Sequence, residues 1–167
     1  MPPAPFVPVP VERPGGGRIA DRTPPDPADL VIVDGLERTV PLHRLAAAAW
    51  AALTATARSA GHAAPLLLPV SGYRSAAEQA WLWDAALVKY GDPETACLWV
   101  ARPGTSAHQS GRAVDCHLGF PIESEYVEAQ RQTPVHRWLV EHAAPFGFYP
   151  YDTEPWHWEY NPPWEAA

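Results

Sequence analysis

The chain has 167 residues, 12 basic against 19 acidic side chains for a formal net charge of −7, and 47% hydrophobic residues. That length suits one domain whose single core buries roughly two thirds of its unfolded surface without disulfides, and the acidic balance repels a phosphate backbone, which argues against nucleic acid as a partner. No apolar run approaches the roughly 18 residues that span a bilayer, and the N-terminus lacks the basic start and apolar core of a secretory signal, so the expectation is no membrane span and a chain that is cytoplasmic as made or exported by a non-Sec route.

The first thirty residues hold nine prolines together with Gly15-Gly16-Gly17, a composition that neither a helix nor a central strand can use. Residues 1–30 therefore read as a proline-rich arm or linker, lying extended over the domain or in solvent, and residues 31–167 as the folded domain. Leu42, Leu45, Ala49, Trp50 and Leu53 share one helical face, with Pro41 suited to the first turn and Gly61 to the stop, which predicts a long helix to about Ala60. Pro65 to Val70 is a short apolar run and reads as a buried strand leading into Ser71-Gly72-Tyr73-Arg74. Ser75-Ala76-Ala77-Glu78 is a capping box opening a second helix that ends near Tyr90 and Gly91. Asp92-Pro93-Glu94 opens a shorter third helix by the same logic.

After the loop Arg102-Pro103-Gly104, the alternation from Arg112 to Leu118 puts Ala113, Asp115 and His117 on one strand face and Val114, Cys116 and Leu118 on the core side. Thr133-Pro134 starts a fourth helix through about Ala144, Phe146 to Tyr151 reads as a strand, and Trp156 to Tyr160 alternates again with His157 and Glu159 on one side. Helices and short strands without regular alternation predict an α+β fold with a small, mostly antiparallel sheet packed against helices. Cys97 and Cys116 are too few and too far apart for a disulfide framework or a CxxC knuckle, and two buried thiols are expected. A bridge between them would require their Cβ atoms to meet.

Two imidazoles and a carboxylate, His108, Asp115 and His157, with Glu154 three residues before the second imidazole, are the parts of a hydrolytic zinc site. Three protein ligands leave one tetrahedral position open, where a structural site would be closed, mostly by Cys. Asp115, set between Val114 and Cys116 in an apolar strand, needs a partner to offset its desolvation, and a metal supplies one. In such a site the zinc acidifies water and polarises a scissile carbonyl, while Glu154 takes the water's proton and passes it to the leaving amine. An odd spacing separates Glu154 from His157, so a regular strand would point them apart. Pro155 is expected to end the ladder and leave Glu154 in a turn, free to lean towards the metal. Arg74 offers a planar fork for a substrate carboxylate or a developing oxyanion, and Ser106 a hydrogen bond to the same substrate.

Each residue also has a plainer reading. Arg74 could be a structural ion pair, Ser106 a turn cap, Gln79 a packing residue and Glu159 a solvated edge charge rather than an acceptor for the outer nitrogen of His157. His117 could orient a ligand or line the cleft, while His43, His62, His136 and His142 read as ordinary histidines. Of the tryptophans Trp50, Trp81, Trp83, Trp99, Trp138, Trp156 and Trp158, most read as core, with one or two at a cleft.

SGYRS followed by Gln79, then PGTSAHQSGRAVD, then EPWHWEY, in this order, closely resembles the VanY-like zinc D-alanyl-D-alanine carboxypeptidases and, more broadly, the hedgehog/DD-peptidase fold group. The likeness runs from about Val70 to Tyr160. It implies one zinc ion per chain on His108, Asp115 and His157, Glu154 as catalytic base, and Arg74, Ser106 and Gln79 on the substrate side, with Arg74 also assisting catalysis. It also implies a peptidoglycan stem peptide or a D-Ala-D-Ala-containing precursor as substrate; a monomer is expected. Two rivals stand beside this reading: an endolysin-type endopeptidase cutting L-Ala-D-Glu bonds or cross-links, and a non-catalytic zinc-containing wall-binding module. The segment between Tyr149 and Glu154 is shorter here than in many relatives.

Overall fold

Among the residues that the computed structural model describes, 17–165, the first regular elements are two strands that the sequence reading passed over, Leu30–Asp34 (β1) and Thr39–His43 (β2), paired antiparallel as a hairpin. The first helix consequently starts later than its apolar face suggests, at Arg44–Ser59 (α1). Pro41 lies within β2, and the cap is His43, whose Nδ1 accepts a hydrogen bond from the Leu45 amide at 3.2 Å. The apolar run 65–70 contributes only Pro69–Ser71 (β3) as strand, after a turn in which Leu67 is already fully buried.

Ala76–Tyr90 (α2) carries the full capping box of Ser75 and Glu78 and stops at Gly91 in the left-handed region. Pro93–Cys97 (α3) is capped by Asp92. Cys97 at its end is exposed, contrary to expectation, while Cys116 is buried, and both are free thiols. Ala113–Cys116 (β4) follows, then Val127–Arg131 (α4), a short helix with no sequence signal of its own, and Pro134–His142 (α5), capped by Thr133. Phe148–Tyr151 (β5) and Glu154–Tyr160 (β6) are the last strands among the described residues, followed by a 3-10 turn at Pro163–Glu165.

The strands β3, β4, β6 and β5 lie side by side in that order, all pairs antiparallel. The expected α+β architecture is thus realised as one four-stranded sheet plus the β1–β2 hairpin. Val114, Cys116, Trp156, Trp158 and Tyr160 join Leu42, Ala46, Trp50 and Leu53 in the core. Trp50 packs edge-on against Phe148 at 5.0 Å between ring centroids and donates its indole N–H to the Leu67 carbonyl at 3.1 Å. Of the seven tryptophans considered, Trp50, Trp156 and Trp158 are buried, Trp99 and Trp138 pack partly against the core, and Trp81 is exposed on α2. No helix among the described residues is long and apolar enough to cross a membrane.

The described part of the N-terminal arm, residues 17–29, does not float. Ile19 is buried, and Arg18, Ile19 and Arg22 bond to Glu159 and Thr105. The proline-rich stretch 1–16 lies outside the described residues.

Between β3 and α2 the chain is threaded tightly past β2. A Cβ on Gly72 would meet the Pro41 carbonyl oxygen at 2.4 Å and the Val40 and Leu42 side chains at 2.6 and 2.7 Å, while the Tyr73 amide donates to the same Pro41 oxygen at 2.7 Å. Because a backbone oxygen cannot move aside cheaply, Gly72→Ala is expected to cost about 3 kcal/mol, the upper part of the usual overpacking range. Chemical denaturation of the two proteins, comparing midpoints at constant m-value, checks it.

Candidate metal centre

Asp115 and His157 face each other directly across β4 and β6, in register with the pairs Val114–Trp158 and Ala113–Glu159. Directly opposed residues share a sheet face, with Cβ atoms about 5 Å apart, so the ladder itself brings carboxylate and imidazole together. The His157 Nδ1 lies 2.9 Å from Asp115 Oδ1. His108 reaches the same oxygen from above, Nε2 at 3.2 Å, from a single 3-10 turn, Ala107–Ser110, capped by Ser106. That turn is fixed from both sides: the His108 carbonyl accepts from the Arg74 and Gly111 amides, and the Gly111 carbonyl from the His43 amide.

The three donor atoms lie within 4.8 Å of one another and all three residues are buried. Donors held about 2.0–2.2 Å from one tetrahedral ion sit roughly 3.4 Å apart, so a small contraction or expansion accommodates one. The outer nitrogens are also committed. His108 Nδ1 bonds the Gly72 carbonyl at 2.7 Å and His157 Nε2 bonds Glu159 Oε1 at 2.9 Å, which leaves Nε2 of one ring and Nδ1 of the other facing Asp115, the arrangement that ligating histidines need. Glu159 is fully buried, so it is an acceptor for His157 and not a solvated edge charge.

Glu154 is brought to the same place by an irregularity rather than by the end of the ladder. β6 begins at Glu154 itself, and between the pairs Pro150–Trp158 and Tyr151–Glu154 the register shifts. Such a bulge re-aims a side chain, and Pro155, lacking an amide hydrogen, suits the gap in the ladder. The result places Glu154 Oε2 at 3.9 Å from His157 Nδ1. The sequence expectation of a turn residue is corrected: Glu154 opens a bulged strand.

The protein's own charges shape the titration of the group. Burial pushes His108 down to about 4, with Arg74 and His157 adding repulsion. Burial also opposes the charged form of His157, but hydrogen bonds and charges from Asp115 and Glu159 outweigh it and raise the ring to about 9. Asp115 resists its own burial and is held well below the usual carboxylate range by His108 and His157. Burial lifts Glu154 to about 7, the Asp115 charge adding to the effect. Three carboxylates thus surround one imidazolium, and a divalent cation bound here takes over the role of that proton and releases it.

The trio and Glu154 line one end of a cleft of about 400 Å³ that extends between the sheet and α2, past Leu82, Lys89, Trp99 and Ile122. Arg74 stands at the rim with Nη2 at 3.1 Å from Asp115 Oδ2 and Nε on Ser71 Oγ. It is therefore an ion pair and a cleft cation at once. Ser106 lines the cleft while its Oγ accepts from the His108 amide. Gln79 is not among the cleft residues: it is buried behind the wall, where Nε2 donates to the Ala101 carbonyl at 2.7 Å. His117 is likewise absent from the cleft. Sequence reasoning missed Arg18, which lines the cleft beside Glu154 and His157 and pairs with Glu159 at 2.7 Å. Nothing in the arm's composition marks it.

A family model described as VanY, D-alanyl-D-alanine carboxypeptidase, matches residues 39–163. A D-alanyl-D-alanine carboxypeptidase of Enterococcus faecalis is 35% identical over 112 residues, covering 54% of this chain and 38% of its own length. The Bacillus subtilis protein YodJ, named as a carboxypeptidase, is 32% identical over 155 residues, covering 81% of this chain and 54% of its own length. The chain thus spans about half the length, or less, of these two relatives. Among solved structures, the LdcB LD-carboxypeptidase superposes with a TM-score of 0.67 at 32% identity over 81% of this chain and 69% of that one. VanYB in complex with D-alanine-D-alanine gives 0.58 at 29% over 81% and 80%, and a VanY mutant in complex with Zn(II) gives 0.56 at 28% over 83% and 82%.

Ion binding by a buried trio of this kind stabilises the folded state alone. A divalent ion held at a thousand times its Kd is expected to add about 4 kcal/mol, seen as a rise in melting temperature that a chelator reverses. Asp115→Asn is expected to abolish the rise.

Proposed function

We propose, from the premise that this chain belongs to the VanY family of D-alanyl-D-alanine carboxypeptidases, that it is a zinc carboxypeptidase removing a terminal D-alanine from a peptidoglycan stem peptide or a D-Ala-D-Ala-containing precursor. The observation that carries the reading is Glu154, a carboxylate bent by a strand bulge to within 3.9 Å of a buried imidazole that itself touches Asp115. Two neutral imidazoles and one carboxylate, with their outer nitrogens bonded, suit zinc with a vacant position.

His108, Asp115 and His157 would hold the zinc, and the bound ion would supply the positive charge that acidifies a water molecule and polarises the scissile carbonyl. Glu154 accepts the proton of that water through its carboxylate oxygen and later delivers it to the departing amine of D-alanine. Arg74 draws the substrate's terminal carboxylate or the developing oxyanion to the rim through Nη1, since Nε is on Ser71 and Nη2 on Asp115. Ser106 offers its hydroxyl to the same part of the peptide. Leu82, Trp99 and Trp156 give the cleft an apolar wall that holds the upstream peptide and excludes water.

A second reading within the same chemistry is cleavage after an L-residue, favoured by the similarity to the LD-carboxypeptidase LdcB. Incubating the protein with peptides ending in D-Ala-D-Ala and with peptides ending in an L-residue followed by D-Ala, and identifying the products by mass, separates the two. Release of D-alanine from the first set supports the leading assignment; release from the second alone supports the alternative. Cleavage inside the stem peptide or of cross-links supports an endopeptidase.

Glu154→Gln is expected to retain zinc yet lose about 10²–10⁴ in kcat; metal analysis alongside steady-state rates checks both halves. The base works only when ionised, so kcat/KM is expected to fall as pH drops through the pKa of Glu154. Burial, with the Asp115 charge adding to it, places that group at about 7, and a nearby cation moves it lower. The acid limb of the pH–rate profile should therefore lie below about 7.

A further inference from the structure

The outer nitrogen of the His157 ring is held by Glu159, and Glu159 is held in turn by the N-terminal arm. The Glu159 carboxylate is fully buried, and a buried carboxylate keeps its charge only when paired and hydrogen-bonded. It has three donors: His157 Nε2 at 2.9 Å, Arg18 Nε at 2.7 Å and the Ile19 backbone amide. Two of the three come from residues 18 and 19, which lie outside the family-matched stretch 39–163. On the β4 side the residue facing Glu159 is the small Ala113, while Tyr149 faces it on the β5 side.

Arg18 is itself held on several sides. Its guanidinium stacks 3.7 Å above the centre of the Tyr151 ring, and Tyr151 in turn lies edge-on to His157 at 5.8 Å. Asn161 Nδ2 donates to the Arg18 carbonyl at 3.4 Å, and Ile19 is buried beside it. A lone surface ion pair contributes little, but here one partner has no solvent to fall back on. The carboxylate also passes the constraint on: by accepting from Nε2 it turns the Nδ1 side of the ring towards Asp115, where Nδ1 would be free to bind an ion once its proton is displaced.

We propose that Arg18 is a positioning residue of the metal centre, which acts through Glu159 to fix the direction and tautomer of His157, so that the N-terminal arm is a working part of the peptidase unit. The proposal rests on the reading of His108, Asp115 and His157 as a zinc site.

The test uses the full chain with Arg18→Ala, Arg18→Gln, Arg18→Lys, Glu159→Gln and the double variant Arg18→Ala/Glu159→Gln. Zinc affinity is measured by competition with a chromophoric chelator, and ligand geometry by the visible absorption of the Co(II)-loaded protein. Partners of ligating histidines are worth about 10–100-fold in metal affinity. Arg18→Ala and Arg18→Gln are expected to weaken zinc about tenfold and to alter the Co(II) spectrum, Arg18→Lys to recover much of both, and Arg18→Ala to add little once Glu159 is Gln. Arg18→Gln, which keeps a hydrogen-bond donor of similar length, serves where the alanine variant fails to fold. Zinc affinities within twofold of the parent for both neutral variants overturn the proposal, as does a full, additive loss in the Glu159→Gln background. A parent protein that takes up no zinc overturns instead the metal reading beneath it.

Discussion

The direct pairing of Asp115 with His157 across two central strands is the constraint from which the rest of the site follows. A ladder of backbone hydrogen bonds sets their separation, so no flexible loop has to hold it. Shifting either strand by one residue would exchange faces: the carboxylate and imidazole would enter the apolar core, and Val114 and Trp158 would line the cleft. The cost of that exchange, several large side chains moved into water and two polar ones into hydrocarbon, keeps the register where it is. The core therefore guards the chemistry without touching it.

Upon that frame the charges are arranged around one point. His157 sits between Asp115 and Glu159 with Glu154 nearby, a concentration of negative charge that makes little sense without a resident positive one. Arg74 and Arg18 each bind a carboxylate that also faces a histidine, Asp115 through its other oxygen and Glu159 through the same one. The same arrangement that raises the affinity of His157 for a proton prepares the place for a divalent ion. A protein this acidic overall, net −7, gains from locating a fixed cation where its buried carboxylates meet.

Much of this was written in short-range pattern. The alternation at 112–118 and 156–160 gave the two faces of β4 and β6, the capping box at Ser75 gave α2, and His108, Asp115, His157 and Glu154 all converge as their order in the chain suggested. The misreadings share a physical cause, which is that tertiary contacts overrule local signals. Pro41 looks like a helix starter but serves as a strand residue because β1 is there to pair with it. Glu154 looks like a turn residue because Pro155 follows, yet a bulge keeps both in the strand. Cys97 reads as apolar but ends a short helix at the surface. Arg18 was illegible because its role depends wholly on a carboxylate 141 positions away, and proline and glycine dominate everything around it.

The two strands that hold the centre are separated in sequence by the stretch from His117 to Thr153, which leaves β4 beside the cleft and returns to it at β6. Ile122, Glu123 and Ser124 from its first part and Tyr151 from its last line the cleft, while the ladder between Ala113–Asp115 and His157–Glu159 depends on none of them. Exchanging the segment around Ile122–Ser124 therefore alters which peptides fit without touching that ladder, whereas Tyr151 belongs to β5, whose bulged pairing with β6 aims Glu154. One catalytic frame can thus take on a different clientele, and that short segment is the natural place to graft a new preference.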